Sequence, residues 1–187
     1  MARDLRWKKL SSEYLFRDGW ATLRADTCEM PNGKIVSPYY VYEFTDWVTA
    51  FAITKENKVI IERQYRHALG EVNYELPGGC VDKTDTSMEM AIARELLEET
   101  GYKFKKFDFL GNTSANPSTN NNLMHMFLAT GGERISEQDL DPNEDIELHL
   151  FSIEEVIELL QTGQIIQSMH VACIVKALEK LGRLKIS

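Results

Sequence analysis

A mixed α/β (α+β) fold, with one mixed sheet covered by helices on both faces and a strand-rich arm ahead of it, is what this sequence predicts. Short β-branched and aromatic runs recur along the chain, three segments carry helix caps or amphipathic periodicity, and the two kinds of element interleave. The arm spans 1–45 and the main domain 46–187. With 187 residues, 43% of them hydrophobic, the chain can bury a substantial core, which excludes disorder and collagen.

From Leu15 to Phe44, aromatic and β-branched residues are broken by Asp18-Gly19 and Pro31-Asn32-Gly33, the pattern of a short β-meander with tight turns. Strands follow at Trp47 to Ile53 and Lys58 to Gln64, parted by Lys55-Glu56-Asn57. Val72 to Leu76 then runs into Pro77-Gly78-Gly79, where backbone can turn sharply and approach a ligand. Thr86-Ser87-Met88-Glu89 offers a Ser/Thr-x-x-Glu capping box, strong helix formers continue to Thr100, and Gly101 supplies the stop. Strands at Phe107 to Leu110 and Leu123 to Ala129 flank a polar loop around Pro117, and Ile146 to Phe151 alternates as a strand. Ser152-Ile153-Glu154-Glu155 caps a helix ending near Gly163, and Ser168 to Leu181 forms a last amphipathic helix before Gly182.

The formal charge is -8, from 21 basic and 29 acidic residues, but it is unevenly placed. Between Glu133 and Glu158 ten carboxylates face Arg134 alone, a local balance of -9. The remainder is near neutral, which argues against a nucleic-acid footprint, since that needs a basic face. Cys28, Cys80 and Cys173 form no CxxC pair and are expected to be buried or half-buried free thiols in a reducing compartment. No run approaches the ~20 apolar residues of a membrane span, and the charged first twenty residues lack a signal core, so a cytoplasmic protein is expected.

At about 100° per residue, Glu95, Glu98 and Glu99 fall within one sector roughly 100° wide on the helix ending at Thr100. Met90, Ala93 and Leu97 share a second face, and Ile92 and Leu96 a third, so burial on more than one side is expected. A solvated acidic face is the ordinary reading of such a cluster. Here the glutamates occupy the negative end of the helix dipole, where an anion is disfavoured by roughly 0.3–1 kcal/mol. Glu95 and Glu99 add a like-charge i,i+4 penalty of about 0.2–0.5 kcal/mol, with Arg94 the one nearby cation. A hard divalent ion offsets all of these, and Mg²⁺ takes one or two carboxylates plus substrate phosphates; Mn²⁺ is the alternative.

Gly79, then Arg94-Glu95-Leu96-Leu97-Glu98-Glu99-Thr100-Gly101-Tyr102, resembles the Nudix box, G-x5-E-x7-R-E-U-x-E-E-x-G-U with U aliphatic. The Arg-Glu-Leu-x-Glu-Glu-x-Gly half matches in full. Gly79 and Arg94 are 15 positions apart where the pattern has 14, Asp85 or Thr86 replaces its first glutamate, and Tyr102 stands at an aliphatic position. The resemblance covers roughly Phe16 to Leu181. It implies a Nudix-type α-β-α sandwich and a Mg²⁺ site of Glu95, Glu98, Glu99 and the Gly78 carbonyl, with Arg94 orienting the glutamates.

Glu62-Arg63-Gln64-Tyr65-Arg66 and Glu75-Leu76-Pro77-Gly78-Gly79 are similar to the Q-x-R and E-L-P-[AG]-G segments of ADP-ribose and nucleotide-sugar pyrophosphatases within that family. Pro117 lies 16 residues beyond Gly101, where proline accompanies ADP-ribose hydrolysis, and the arm implies an intertwined homodimer. Arg66 and Gln64 are candidate substrate contacts; the planar, permanent charge of guanidinium suits a diphosphate, against a plain salt bridge with Glu62 or Glu71. Trp20 and Trp47 are candidates to stack on adenine, against ordinary core packing. The branch also implies carboxylates in a loop before the last strand: Glu144 falls at the metal-binding position, while Pro142 stands where a base is expected, leaving Asp141, Asp145, Glu95 or another loop residue to accept the proton.

The expectation is Mg²⁺-dependent hydrolysis of a nucleoside diphosphate linked to another moiety, ADP-ribose or a related nucleotide sugar, to a nucleoside monophosphate and a sugar phosphate. The alternatives are a Nudix-like sensor that binds ADP-ribose without cleaving it, and a nucleoside triphosphate pyrophosphohydrolase.

Overall fold

The computed structural model describes residues 2–184 and divides them into two compact units. The first comprises residues up to Thr45 together with Ser114–Asn122, and the second Asp46–Thr113 with the chain from Leu123 onward.

The first unit is an antiparallel sheet, β1 (Lys8–Arg17), β2 (Thr22–Glu29) and β3 (Ile35–Glu43), in that order. β1 begins seven residues before the Leu15 expected from the sequence, because the Lys- and Ser-rich stretch 8–14 pairs along β2 from Lys8↔Glu29 to Tyr14↔Arg24. Backbone pairing supplies there what an apolar pattern does not. The segment containing Pro117 is tied to β3 by Tyr42 N–H on the Thr119 carbonyl at 2.7 Å and Tyr39 Oη–H on the Ser118 carbonyl at 2.7 Å.

The second unit is the expected mixed sheet with helices on both faces. Its elements are β4 (Trp47–Thr54), β5 (Val59–Arg66), β6 (Glu71–Glu75), α1 (Met88–Thr100), β7 (Tyr102–Lys103), β8 (Lys106–Thr113), β9 (Met124–Arg134), β10 (Ile146–Phe151), α2 (Ile153–Gln161) and α3 (Ser168–Lys180). The strand path is β10-β5-β4-β9-β7, with β6 on β5 and β8 on β9; β4 and β9 run parallel and the other pairs antiparallel. The two-residue β7 escapes a sequence reading because it has no period to detect.

Alternation along the central strands assigns the two cores. Val48, Ala50 and Ala52 of β4 and Ile60 of β5 pack with Ala91, Ile92 and Leu96 of α1. Phe51 and Ile53 of β4, with Val59 and Ile61 of β5, pack with Val156 and Leu159 of α2 and Met169, Cys173, Ile174 and Ala177 of α3. α1 therefore buries one principal face; Met90 and Leu97, expected to be buried, are exposed. α2 carries the expected capping box of Ser152 and Glu155. Among the described residues no helix is long and apolar enough to cross a membrane.

Candidate active site

β4 and β5 share the register pair Ile53↔Val59 next to their connecting turn, and further along β4 the segment 77–80 takes up its edge. Ala50 N–H donates to the Pro77 carbonyl at 3.1 Å, Val48 N–H to the Gly79 carbonyl at 2.9 Å, and Trp47 bridges Cys80. The approach demands glycine: Gly78 has φ +142°, and a Cβ there would lie 2.1 Å from the Val48 carbonyl oxygen. At Gly79 a Cβ would stand 2.8 Å from all three carboxylate atoms of Glu95. His170 of α3, 3% exposed, accepts the Leu76 N–H on Nδ1 at 3.2 Å and so holds the turn from the other core.

α1 presents its carboxylates to this turn. Its N-cap is Ser87, whose hydroxyl accepts the Met90 N–H, one residue later than the box expected at Thr86. Gly101 closes it in the left-handed conformation at φ 72°. The last turn holds no cation, and its carbonyls are taken instead by the acidic segment: Asp139 N–H donates to Glu98 O at 2.8 Å and Gln138 Nε2 to Glu99 O at 2.7 Å.

The three helix glutamates separate in environment. Glu95 and Glu99 are buried, and Glu99 Oε2 accepts the Gly78 N–H at 2.7 Å. Glu98 is half-buried and accepts from Arg94 at 2.9 Å. Arg94 is the organising group: its guanidinium also reaches Asp85 at 2.9 Å, Glu95 at 3.0 Å and the Cys80 carbonyl at 3.0 Å. Asp85, not Thr86, thus fills the place left by the first box glutamate, and the ion pair holds its carboxyl below the usual range. Cys80 is exposed, unlike the buried Cys28 and Cys173, because its carbonyl and not its side chain faces the site.

Two further glutamates, outside the sequence-derived site, join the cluster. Glu62 of β5 is 1% exposed and Glu75 of β6 lies directly opposite it in register. Their signal was an acidic residue interrupting the apolar run Val59-Ile60-Ile61 on the same face as Ile60, a position at which only pairing or a ligand makes a carboxylate tolerable. Glu75 is held by a bidentate fork from Arg66, at 2.9 and 2.6 Å, so the partner of Arg66 is neither Glu62 nor Glu71. Glu144 accepts the Asp141 N–H at 3.0 Å, turning the loop so that its charge acts on Glu62, Glu95 and Glu99.

Burial, reinforced by like charge, drives the protonation of this group. Burial pushes Glu95 up to about 7, against the favourable charge of Arg94. Glu62 is pushed up to about 8 by burial and then by Glu75, and Glu99 well above the carboxylate range by burial and then by Glu62. Among the described residues no group of three or more His, Cys, Asp or Glu side chains that could hold a metal ion is found. The set is instead open, all-oxygen and over-charged, with an unpartnered buried oxygen on Glu62; those properties fit a hard divalent cation and do not fit a soft one.

The remaining candidates are Gln64, Trp47 and Trp20. Gln64 lines a cleft of ≈ 320 Å³ with Tyr65, Val72, Asn143 and Asp145. Trp47 is half-buried against the α2/α3 core, and Trp20, 81% exposed, belongs to the β1–β2 turn of the first unit.

A family model for the nucleoside diphosphate sugar hydrolase N-terminal domain matches residues 7–42, and one for the NUDIX domain matches residues 44–169. The chain is 28% identical over 168 residues to the methanol dehydrogenase activator of Bacillus methanolicus, covering 89% of this chain and 90% of that one. It is 29% identical over 164 residues to an ADP-ribose pyrophosphatase of Bacillus subtilis (strain 168), covering 87% and 88%. A crystal structure described as an ADP compounds hydrolase superposes with a TM-score of 0.84 at 22% identity, over 98% of this chain and 100% of that one, a likeness of fold. Because the NUDIX model spans well over half of the residues, including the glycine turn and all of α1, the chain belongs to the Nudix family.

Proposed function

We propose that this protein is a Mg²⁺-dependent Nudix hydrolase that cleaves a nucleoside diphosphate linked to another moiety, ADP-ribose or a related nucleotide sugar, to a nucleoside monophosphate and a sugar phosphate. One observation carries this reading: buried carboxylates from α1 and β5, with half-buried Glu144 of the 141–145 loop acting on them, gather around a glycine turn with too little positive charge among them. The names of the relatives, ADP-ribose pyrophosphatase and GDP-mannose pyrophosphatase, support the substrate class.

Glu95, Glu98 and Glu99, the Gly78 carbonyl and Glu144 would hold Mg²⁺ or Mn²⁺. When bound, such an ion neutralises the diphosphate and lowers the pKa of water. Arg94 keeps Glu95 and Glu98 aimed by charge-assisted bonds. Arg66, oriented by its fork on Glu75, has guanidinium N–H donors left over for a phosphate oxygen. Gln64, Trp47 and Trp20 are proposed to contact the substrate. Pro142 has no proton-accepting group, so the exposed Asp141 and Asp145 and the buried Glu95 are the acceptors offered for the proton of the attacking water. The apolar side chains exposed on the first unit, Trp7, Tyr14, Leu15 and Phe16 among them, support a homodimer built through the arm.

Mass-spectrometric product analysis with Mg²⁺ across ADP-ribose, GDP-mannose, ADP-glucose and NADH tests the reading. Nucleoside monophosphate is expected from at least one, and Glu99→Gln abolishes its release while leaving the circular dichroism spectrum unchanged. Calorimetric binding of ADP-ribose without any product selects the sensor, which the proline at 142 favours.

A further inference from the structure

Two buried carboxylates of the site, Glu62 and Glu75, are not employed as ligands above, and Glu75 is committed to the Arg66 fork. The alternation of β5 puts Val59 and Ile61 in the α2/α3 core and Ile60 in the α1 core, so Glu62 faces α1. It is 1% exposed, and its Oε1 has no hydrogen-bond partner among the described residues. Leaving such an oxygen unmet costs about 1–3 kcal/mol, more when it is charged. The groups around it deepen the cost. Glu75 stands directly across the β5–β6 ladder, where like charges are destabilising, Glu144 adds its charge from the loop, and Glu99 of α1 offsets part of the cost through a side-chain hydrogen bond with Glu62. Arg66 is the cation acting on it, and its fork is committed to Glu75. An aliphatic residue would serve the strand better, as Ile60 does one turn of the pleat away, so the fold itself does not account for this carboxylate.

We infer that Glu62 is a further protein ligand of the divalent cation held by Glu99 and the Gly78 carbonyl, supplied by β5 rather than by α1. The inference rests on the metal reading above and adds a donor to it. All the candidate donors are oxygens, which selects Mg²⁺ or Mn²⁺ over thiolate- or imidazole-seeking ions. With Glu62 the site has a carboxylate contributed by the sheet, which anchors the cation to the rigid core as well as to the helix. If Glu62 were instead only a neutral acid donating a hydrogen bond to Glu99, Gln would replace it without loss.

The test is Mn²⁺ titration followed by electron paramagnetic resonance, together with thermal melting with and without Mg²⁺, on the wild-type chain, Glu62→Gln and Glu62→Val. Both variants are expected to bind Mn²⁺ at least about tenfold more weakly, the scale on which support of a metal site is lost. Their metal-free melting temperatures are expected to exceed that of the wild type, with the gap closing at saturating Mg²⁺. A smaller loss of affinity in Glu62→Gln overturns the role of Glu62 while leaving the rest of the metal site standing. Failure of both variants to fold also overturns it, because a carboxyl required by the fold is not one kept for a cation. If the wild-type chain binds no Mn²⁺, the metal reading of the whole site is what fails.

Discussion

Acidification is expected to weaken the anchor between α3 and the glycine turn through His170. Its Nδ1 accepts the Leu76 amide, and burial holds the imidazole down at about 4 from an ordinary 6.5. With the folded value below the unfolded one, the denatured chain takes the proton first. The contribution of His170 is therefore complete above about pH 6.5 and is lost progressively as pH falls towards about 4. The whole interval corresponds to about 3 kcal/mol, and the step from pH 7.5 to pH 5 to about 2 kcal/mol. Glu62 and Glu95 have raised values and act in the opposite sense, stabilising the fold as pH falls, so the wild-type slope alone mixes the two. His170→Asn separates them, since its side-chain oxygen can still accept the Leu76 N–H and does not titrate. Urea unfolding of both metal-free chains at the two pH values is the assay. The wild type is expected to lose about 2 kcal/mol more than the variant on going to pH 5; parallel pH dependence within about 0.5 kcal/mol would refute the assignment.

Gly78→Ala is expected to cost about 3 kcal/mol or more, because its φ suits glycine and the added Cβ meets the backbone of Val48 and Thr49; a melting temperature within a few degrees of wild type would show that the turn yields. Gly79→Ala has ordinary backbone freedom and meets the end of the Glu95 side chain rather than backbone, so melting is expected to stay near wild type while kcat falls at least about tenfold. Arg94→Lys keeps the charge but cannot hold Asp85, Glu95, Glu98 and the Cys80 carbonyl at once. A fall of about 10–100-fold in kcat with an intact fold is expected from steady-state assays, and wild-type kcat would show that the fork has no part in aiming the glutamates.

The parts of the site legible in the sequence are those in which neighbours along one element carry the information. Arg94 to Gly101 combines ligand spacing, a dipole-opposed charge cluster and a helix stop within eight residues, and α1 follows it closely. Leu76 to Gly79 shows its turn because glycine is the residue that tolerates such a backbone. By contrast, the pairing of Arg66 with Glu75 spans nine residues of hairpin, and the hold of His170 on Leu76 spans 94, so no local period reports either. The same limit explains Cys80, whose exposure depends on which of its groups Arg94 draws inward, and β1, whose polar residues are ordered by β2.

Periodicity, caps and the order of residue types were sufficient to specify the class of fold, the glutamate-bearing helix and the family resemblance, because each is written in short-range spacing that chain geometry alone converts into a face or a turn. Which carboxylates share one volume is a different matter. Glu62 and Glu75 come from β5 and β6, Glu95 and Glu99 from α1, and Glu144 from a loop, and only the packing of α1 against the sheet brings their charges to bear on one another. Tertiary structure decided that convergence, since electrostatic coupling and desolvation depend on distance and burial in space and leave no trace in separation along the chain.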